Sequence, residues 1–252
     1  MGRAADHTAI FLAAGRGTRM GGQFGHPKIL LELHGRTLLH RHLAALRTCG
    51  VRDAVFVVGH QQELVRAAAA RCAEGVRLHW VDNVEYATKG NTHSLHLGLC
   101  HDAEGVLIFD ADLMYAPHIL ERFIAASHED ALLVGAGSPD DIECTKVLVD
   151  DSERVWKTVD KRALTSDELR EHRFAGEAMG ILKFGAAGRS ALKDAAARFL
   201  ADPAHALLNW EHLLNQFLPR HPVACHFDPS EDWIEIDTPE DLEHATQKFS
   251  SH

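Results

Sequence analysis

Leu12-Ala13-Ala14-Gly15-Arg16-Gly17-Thr18-Arg19-Met20, with Pro27-Lys28 a short way behind, is the stretch on which the fold turns. The apolar run from Thr8 to Ala13 predicts a buried strand. It feeds a loop in which Gly15 and Gly17 allow positive φ and close approach of the backbone to an anion. Arg19 and Lys28 put positive charge where phosphates would lie. A bare Gly-x-Gly would suit any solvated turn, so the weight rests on the whole string with Pro27-Lys28. No Gly-Lys-Ser/Thr follows the glycines, which excludes a P-loop. Met20 stands where the dinucleotide fingerprint needs its third glycine.

Downstream of this stretch, short apolar runs alternate with helical spacing. Strands are expected at Ala54 to Val58, Arg77 to Val81, Val106 to Phe109 and Ala131 to Ala136. Helices are expected at Leu38 to Cys49, Leu64 to Arg71, Thr92 to Leu99 and His118 to Ala126. Strand–helix alternation predicts an α/β fold with a doubly wound, mostly parallel, Rossmann-like sheet and helices on both faces. Ligands then gather at the carboxyl ends of the strands. The second half predicts a hairpin around Asp150-Asp151, a strand over Ala178 to Phe184, and helices over Arg189 to Leu200 and Leu207 to Leu218. Strands follow at Val223 to Phe227 and Trp233 to Ile236, then a last helix from Pro239 capped by Thr238. Residues 1–252 read as one unit: about 1–135 a nucleotide half, about 136–252 a C-terminal acceptor-binding half.

The net charge is −10, from 26 Lys and Arg against 36 Asp and Glu. That argues against nucleic acid and anionic membrane as partners and leaves room for a local basic pocket. Five scattered cysteines without a CxxC pair fit a reducing compartment, and no apolar run of about 18 residues is present, so a cytoplasmic location is expected. The sequence leaves a homo-oligomer open. The 19 histidines show no His-x-x-x-His pair at a candidate site and are expected mostly at the surface, His40 and His42 included.

Phe109-Asp110-Ala111-Asp112 ends a strand, and alternation points Asp110 and Asp112 the same way, toward one cation. Magnesium takes one or two carboxylates plus substrate phosphates. In Trp233-Ile234-Glu235-Ile236-Asp237-Thr238-Pro239, alternation puts Trp233, Glu235 and Asp237 on one face, with Glu235 expected to contact the acceptor. Asn83 to Ser94 is a turn rich in Asn, Gly and Thr before a helix, suited to base edges and ribose hydroxyls. Gly59 and His60 follow the second core strand and fall near the base. Trp210, Trp233 and Tyr86, with Glu211, could form an aromatic cage for a quaternary ammonium.

These motifs resemble the nucleoside-diphosphate-sugar pyrophosphorylase superfamily, and within it the phosphocholine cytidylyltransferase-like group, over about Thr8 to Ala245. The resemblance implies that Leu12, Ala13, Ala14, Gly15, Gly17, Thr18 and Arg19 wrap a triphosphate and that Lys28 contacts its α-phosphate. The loop before Pro27-Lys28 is shorter than in many members of that family. The resemblance implies Mg²⁺ on Asp112 and Asp237, with Asp110 behind them. It places Asn91, Thr92 and Ser94 near the nucleotide, Tyr86 near base or acceptor, and Lys146, Lys161 and Glu177 at the acceptor. It favours CTP as the nucleotide and a small phosphorylated or phosphonate acceptor, phosphocholine or an aminoalkylphosphonate among them.

The implied chemistry is in-line attack by an acceptor oxygen on the α-phosphorus with release of pyrophosphate, Arg19, Lys28, Asp112 and Asp237 carrying it by positioning and charge. A sugar-1-phosphate or polyol-phosphate nucleotidyltransferase would share that chemistry. A GT-A-type glycosyltransferase would share Asp-x-Asp, but it has no triphosphate to wrap. A non-catalytic nucleotide-binding relative would have no need of all four charged residues.

Overall fold

The computed structural model describes residues 6–17, 20 and 25–250. The first half runs β1 (His7–Ala13), two short strands β2 (Glu32–Leu33) and β3 (Arg36–Thr37), then α1 (Leu38–Cys49), β4 (Asp53–Val58), α2 (Gln62–Ala69) and β5 (Arg77–Asp82). It continues through α3 (Asn91–Leu99), β6 (Gly105–Asp110), β7 (Leu113–Tyr115), α4 (Pro117–Ala125) and β8 (Ala131–Gly135). The second half runs β9 (Thr145–Val149), β10 (Val155–Asp160), α5 (Ser166–Glu171), β11 (Arg173–Phe184) and α6 (Ala186–Leu200). It ends with α7 (Trp210–Phe217), β12 (Ala224–Phe227), β13 (Trp233–Glu235) and α8 (Pro239–Lys248).

Strands β5, β4, β1 and β6 lie side by side and parallel, β1 between β4 and β6. Strand alternation sends one set of side chains to each face. Ala9, Phe11 and Ala13 pack with α1, α2 and α4; Ile10 and Leu12 pack with α3, α6 and α7. Phe11 stacks on Phe56 and on Phe109, each at 4.8 Å between centroids. The helix ends follow local chemistry. Thr37 Oγ1 accepts from the His40 N–H to start α1, and Gly50 at φ 81° ends it. Thr238 and Asp241 form a capping box on α8, behind Pro239.

The long strand β11 runs antiparallel to β6 and carries the sheet into its second half. It pairs β8 on one edge, and β6 and β9 on the other. Phe109 at the end of β6 faces Ile181, while Lys146 at the start of β9 faces Glu177. Ala178 to Gly180 therefore lie between the two strand ends, and that gap opens the cleft described below. Sequence alone placed the start of β11 five residues late. It also missed β7, which follows the Asp110-Ala111-Asp112 turn directly.

His42 departs from the expected surface position. It is 1% exposed on the core side of α1, with Nδ1 3.2 Å from the Tyr115 hydroxyl and the ring 5.0 Å from Phe11. Burial pushes it down from 6.5 to about 4. The unfolded chain therefore takes up this proton near pH 6.5 and the folded chain only near 4, so stability is lost as pH falls through that window. From pH 7 to pH 5 the expected loss from this group is about 2 kcal/mol. Urea unfolding of wild type and His42→Gln at both pH values measures it; equal losses would remove His42 as the source.

Candidate active site

A cavity of about 300 Å³ opens at the carboxyl ends of β1 and β6 and beside the β11 gap. Leu12, Ala13, Ala14, Gly15 and Gly17 form one wall. Gly17 sits at φ 60°, and a Cβ there would stand 3.0 Å from Lys28 Cγ, so both the turn and the lysine packed on it require glycine. Thr18 and Arg19, two of the expected phosphate contacts, lie outside the described residues. Lys28 leaves a single 3₁₀ turn behind Pro27. Its ammonium donates to Asp112 Oδ2 at 2.9 Å and also to Asp237. Burial alone would push this ammonium down; the two carboxylates outweigh it and hold it above the ordinary lysine value.

Asp112 and Asp237 are 125 residues apart in sequence and meet because β13 pairs antiparallel with β7, Glu235 opposite Leu113. The Ile236 N–H donates to the Asp112 carbonyl at 3.0 Å, and the Asp237 N–H donates to Asp241 Oδ2 at 3.0 Å. Glu235, expected at the acceptor, joins the pair: one oxygen from each of Asp112, Glu235 and Asp237 lies within 4.8 Å of the others. An all-oxygen set of this size fits a hard divalent cation such as Mg²⁺. Asp110 lies deeper, where it accepts from Trp210 Nε1 at 3.1 Å. Burial, then the charges of Asp112 and Glu211, raise it well above the usual carboxylate range. Gly180, at φ 68°, is pressed against it; a Cβ there would stand 2.9 Å from Asp110 Oδ2.

On the opposite side Tyr86 and Asn83 line the cavity. Asn83 Nδ2 donates to Ser94 Oγ at 2.9 Å, and Asn83 Oδ1 accepts from the Glu85 N–H at 3.0 Å, so the turn is pre-organised. Asn91 and Ser94 reach the wall as expected. Asn91 Oδ1 also accepts from the Trp210 N–H at 2.8 Å. Thr92 does not reach the wall: it is buried with its hydroxyl on the Leu208 carbonyl at 2.7 Å, one position round the helix from Asn91. Gly59 and His60 stand behind Tyr86 rather than on the wall; a Cβ on Gly59 would be 2.7 Å from the Tyr86 side chain. Tyr86 itself lies under Arg16, whose guanidinium is 5.6 Å from the ring centroid. That puts the tyrosine beside the glycine-rich loop.

Lys161 lines the cavity from a φ of 45° just past β10. Lys146 does not. Thr145 faces the cavity, so strand alternation turns Lys146 the other way, fully buried with its ammonium on the Cys144 carbonyl at 2.7 Å. Glu177 and Trp233 line a neighbouring cavity of about 800 Å³ that shares Glu143 and Glu235 with the first. Burial, then Asp141, push Glu177 up to about 7. Trp210 is 3% exposed with its indole on Asp110, and Trp233 packs over Gly135. Tyr86, Trp210 and Trp233 therefore do not share one cavity, and the expected aromatic cage does not form. Burial pushes Glu211 up to about 8, with Asp160 and Glu235 adding to it. Sequence reasoning missed Arg16, Gly180, Thr145 and Asp160; Arg16 stands inside the glycine-rich string and Gly180 three residues past Glu177.

The MobA-like NTP transferase domain model matches residues 9–171, more than half of the chain. The chain belongs to this family of nucleotidyltransferases. It is 35% identical over 125 residues, 49% of its length, to CMP-5'-(3-aminopropyl)phosphonate synthase of Streptomyces rubellomurinus, and 28% identical over 245 residues, 94% of its length, to the bifunctional IPC transferase and DIPP synthase of Thermococcus kodakarensis. It spans 20% of the first relative and 49% of the second. The CTP:phosphocholine cytidylyltransferase of Streptococcus pneumoniae shares the fold at a TM-score of 0.77 and 21% identity, with 96% of this chain and 98% of that one covered. The inositol-1-phosphate CTP transferase of T. maritima shares it at 0.76 and 21%, with 98% and 97% covered. Among the described residues no helix is long and apolar enough to cross a membrane.

Proposed function

We propose that this protein is a Mg²⁺-dependent cytidylyltransferase that moves CMP from CTP to a small phosphate or phosphonate acceptor and releases pyrophosphate. The observation that carries it is the convergence of Lys28 with Asp112, Glu235 and Asp237 beside a glycine-rich loop. A phosphate-binding lysine and a divalent-cation site in one cavity suit a nucleoside triphosphate. CTP is supported by the names of three relatives that use or make cytidine nucleotides. A phosphocholine or aminoalkylphosphonate acceptor is supported by two of them. The likeness over 94% of the chain to the IPC transferase favours a polyol phosphate as the second reading. Five free thiols suit action in the cytoplasm.

Bound on Asp112 and Asp237, with Glu235 beside them, magnesium supplies charge neutralisation at the phosphates. The chain's own residues do the rest. Gly15 and Gly17 bring backbone N–H groups to the triphosphate. Lys28 faces the α-phosphate, and Arg19 adds charge for the departing pyrophosphate. Lys161 meets the acceptor's anionic end from the other wall, so its oxygen lines up opposite the leaving group. That oxygen is already anionic, and no protein nucleophile is required. Acceptor-dependent pyrophosphate release with Mg²⁺, across four nucleoside triphosphates and a panel of phosphorylated acceptors, tests this. CTP with one acceptor is the expected pair. Silence across the panel, together with turnover of a nucleotide sugar, would point to a glycosyltransferase instead.

A further inference from the structure

The carboxylates of the cation site all hang on one two-stranded ribbon, β7 with β13. Asp112 directly precedes β7, Glu235 is the last residue of β13, and Asp237 follows two positions on. The ribbon is zipped at both ends. The Ile236 N–H donates to the Asp112 carbonyl at one end, and the Ala116 N–H donates to the Asp232 carbonyl at 2.8 Å at the other. Among the described residues no ladder pairing joins this ribbon to the nine-stranded sheet. Its side chains alternate between two apolar clusters. Leu113 and Tyr115 enter the core shared with α1 and α4, while Met114 and Ile236 pack with Leu31, Leu33, Leu38 and Phe249. Apolar packing is non-directional, so it does not set how the ribbon is rotated or how far along the core it sits.

A directional tie comes from α1, where buried His42 and buried Tyr115 share a hydrogen bond between Nδ1 and the hydroxyl, 3.2 Å apart. The histidine is out of keeping with its surroundings. Its ring centroid lies 5.0 Å from Phe11, 5.4 Å from Tyr115 and 6.1 Å from Phe109, and its Nε2 has no hydrogen-bond partner. Phenylalanine at both 42 and 115 would complete this aromatic cluster with no polar atom buried in it. What the pair supplies is direction. Tyr115 stands opposite Trp233 in the ribbon, as Leu113 stands opposite Glu235. The backbone of Ala111, on the other side of Asp112, also lies close enough to the imidazole to act on it. We infer that the His42–Tyr115 pair is a positioning device for the cation site: it fixes the ribbon on α1 and so sets the spacing of Asp112, Glu235 and Asp237. This rests on the cation site of the proposed transferase and adds two residues that do not line its cavity. Lys28 also gathers Asp112 and Asp237, but it engages oxygens that a cation would use. The His42–Tyr115 bond lies behind the ribbon and persists when a cation binds. Magnesium demands near-ideal octahedral geometry, so small shifts of its carboxylates matter.

The test reads Mg²⁺ affinity by calorimetry without nucleotide, and thermal melting beside it, for wild type, Tyr115→Phe, His42→Asn and the double variant His42→Phe with Tyr115→Phe. Replacing both polar partners by apolar rings leaves neither one orphaned, so the double variant should melt no more than about 3 °C below wild type. Its Mg²⁺ affinity should nevertheless fall about tenfold, as for other groups that orient metal ligands. Tyr115→Phe should lose affinity in the same direction. His42→Asn keeps an amide where Nδ1 stood but leaves a gap in the aromatic cluster. It should melt lower than wild type and still hold Mg²⁺ within about threefold. Affinity that simply tracks melting temperature across the set overturns the positioning role and leaves a structural pair. So does wild-type affinity in the double variant or, if that protein does not fold, in Tyr115→Phe. A wild type that binds no Mg²⁺ removes the cation site and this role with it. The expected Mg²⁺ pattern without pyrophosphate release from any acceptor keeps the positioning role and sinks the transferase.

Discussion

Asp112→Asn is expected to lower turnover by about 10³-fold, which is about 4 kcal/mol of transition-state stabilisation. The substitution keeps the shape of the side chain and removes one of the carboxylate charges assigned to the cation. Asp112 stands between β6 and β7, and its carbonyl holds the Ile236 N–H that brings Asp237 in. That backbone bond survives the change. Lys28 loses one ion-pair partner and keeps Asp237. The crowded carboxylates of Asp110, Glu235 and Asp237 lose a like-charged neighbour, which offsets the lost pair. The melting temperature should therefore stay within about 3 °C of wild type. Turnover is read as acceptor-dependent pyrophosphate release and Mg²⁺ affinity by calorimetry. Full activity in a folded Asp112→Asn protein would remove the cation assignment.

Lys28→Met should act twice, on catalysis and on the metal-free fold. It removes the charge facing the α-phosphate, and kcat/KM should fall by about 10² to 10³, or about 3–4 kcal/mol. Without metal, the lysine is also what holds Asp112 and Asp237 together. Its side chain is 13% exposed and theirs are 18% and 15%, so solvent screens the pair weakly. Losing two charge-assisted hydrogen bonds and leaving like charges face to face should cost about 1–3 kcal/mol. In a chain of this size that lowers the melting temperature by about 5 °C. Added Mg²⁺ should recover much of the loss, because a cation on the same carboxylates takes over the lysine's place. A metal-free Lys28→Met protein that melts at or above wild type would show that the cluster is not held by this residue.

Both predictions rest on contacts that sequence reading approached from different distances. The glycine loop, Pro27-Lys28 and Asp110-Ala111-Asp112 each occupy one short segment. Their roles follow from strand alternation and glycine dihedrals, which are local. Asp237 became a candidate through a family likeness, because nothing within its own segment says which distant carboxylate it meets. Lys146 was misplaced by one step of alternation. A lysine is usually exposed, and only the register of β9 against β11 shows that this one turns inward.

Local signals in the chain were enough for the main strands and helices from β1 through β6, the bounds of α1 and the cap of α8. Apolar periodicity marked the strands, Gly50 marked the end of α1, and Pro239 behind Thr238 marked the start of α8. Three features of the site came from packing instead. The β7–β13 pairing carried Glu235 to the carboxylate pair, the gap in β11 opened the cleft at Gly180, and the seating of α7 buried Glu211 with its Oε2 unbonded. Range explains the division. Caps, turns and alternation are set by residues within four or five positions of one another, whereas which strand ends meet is set by the packing of the whole core.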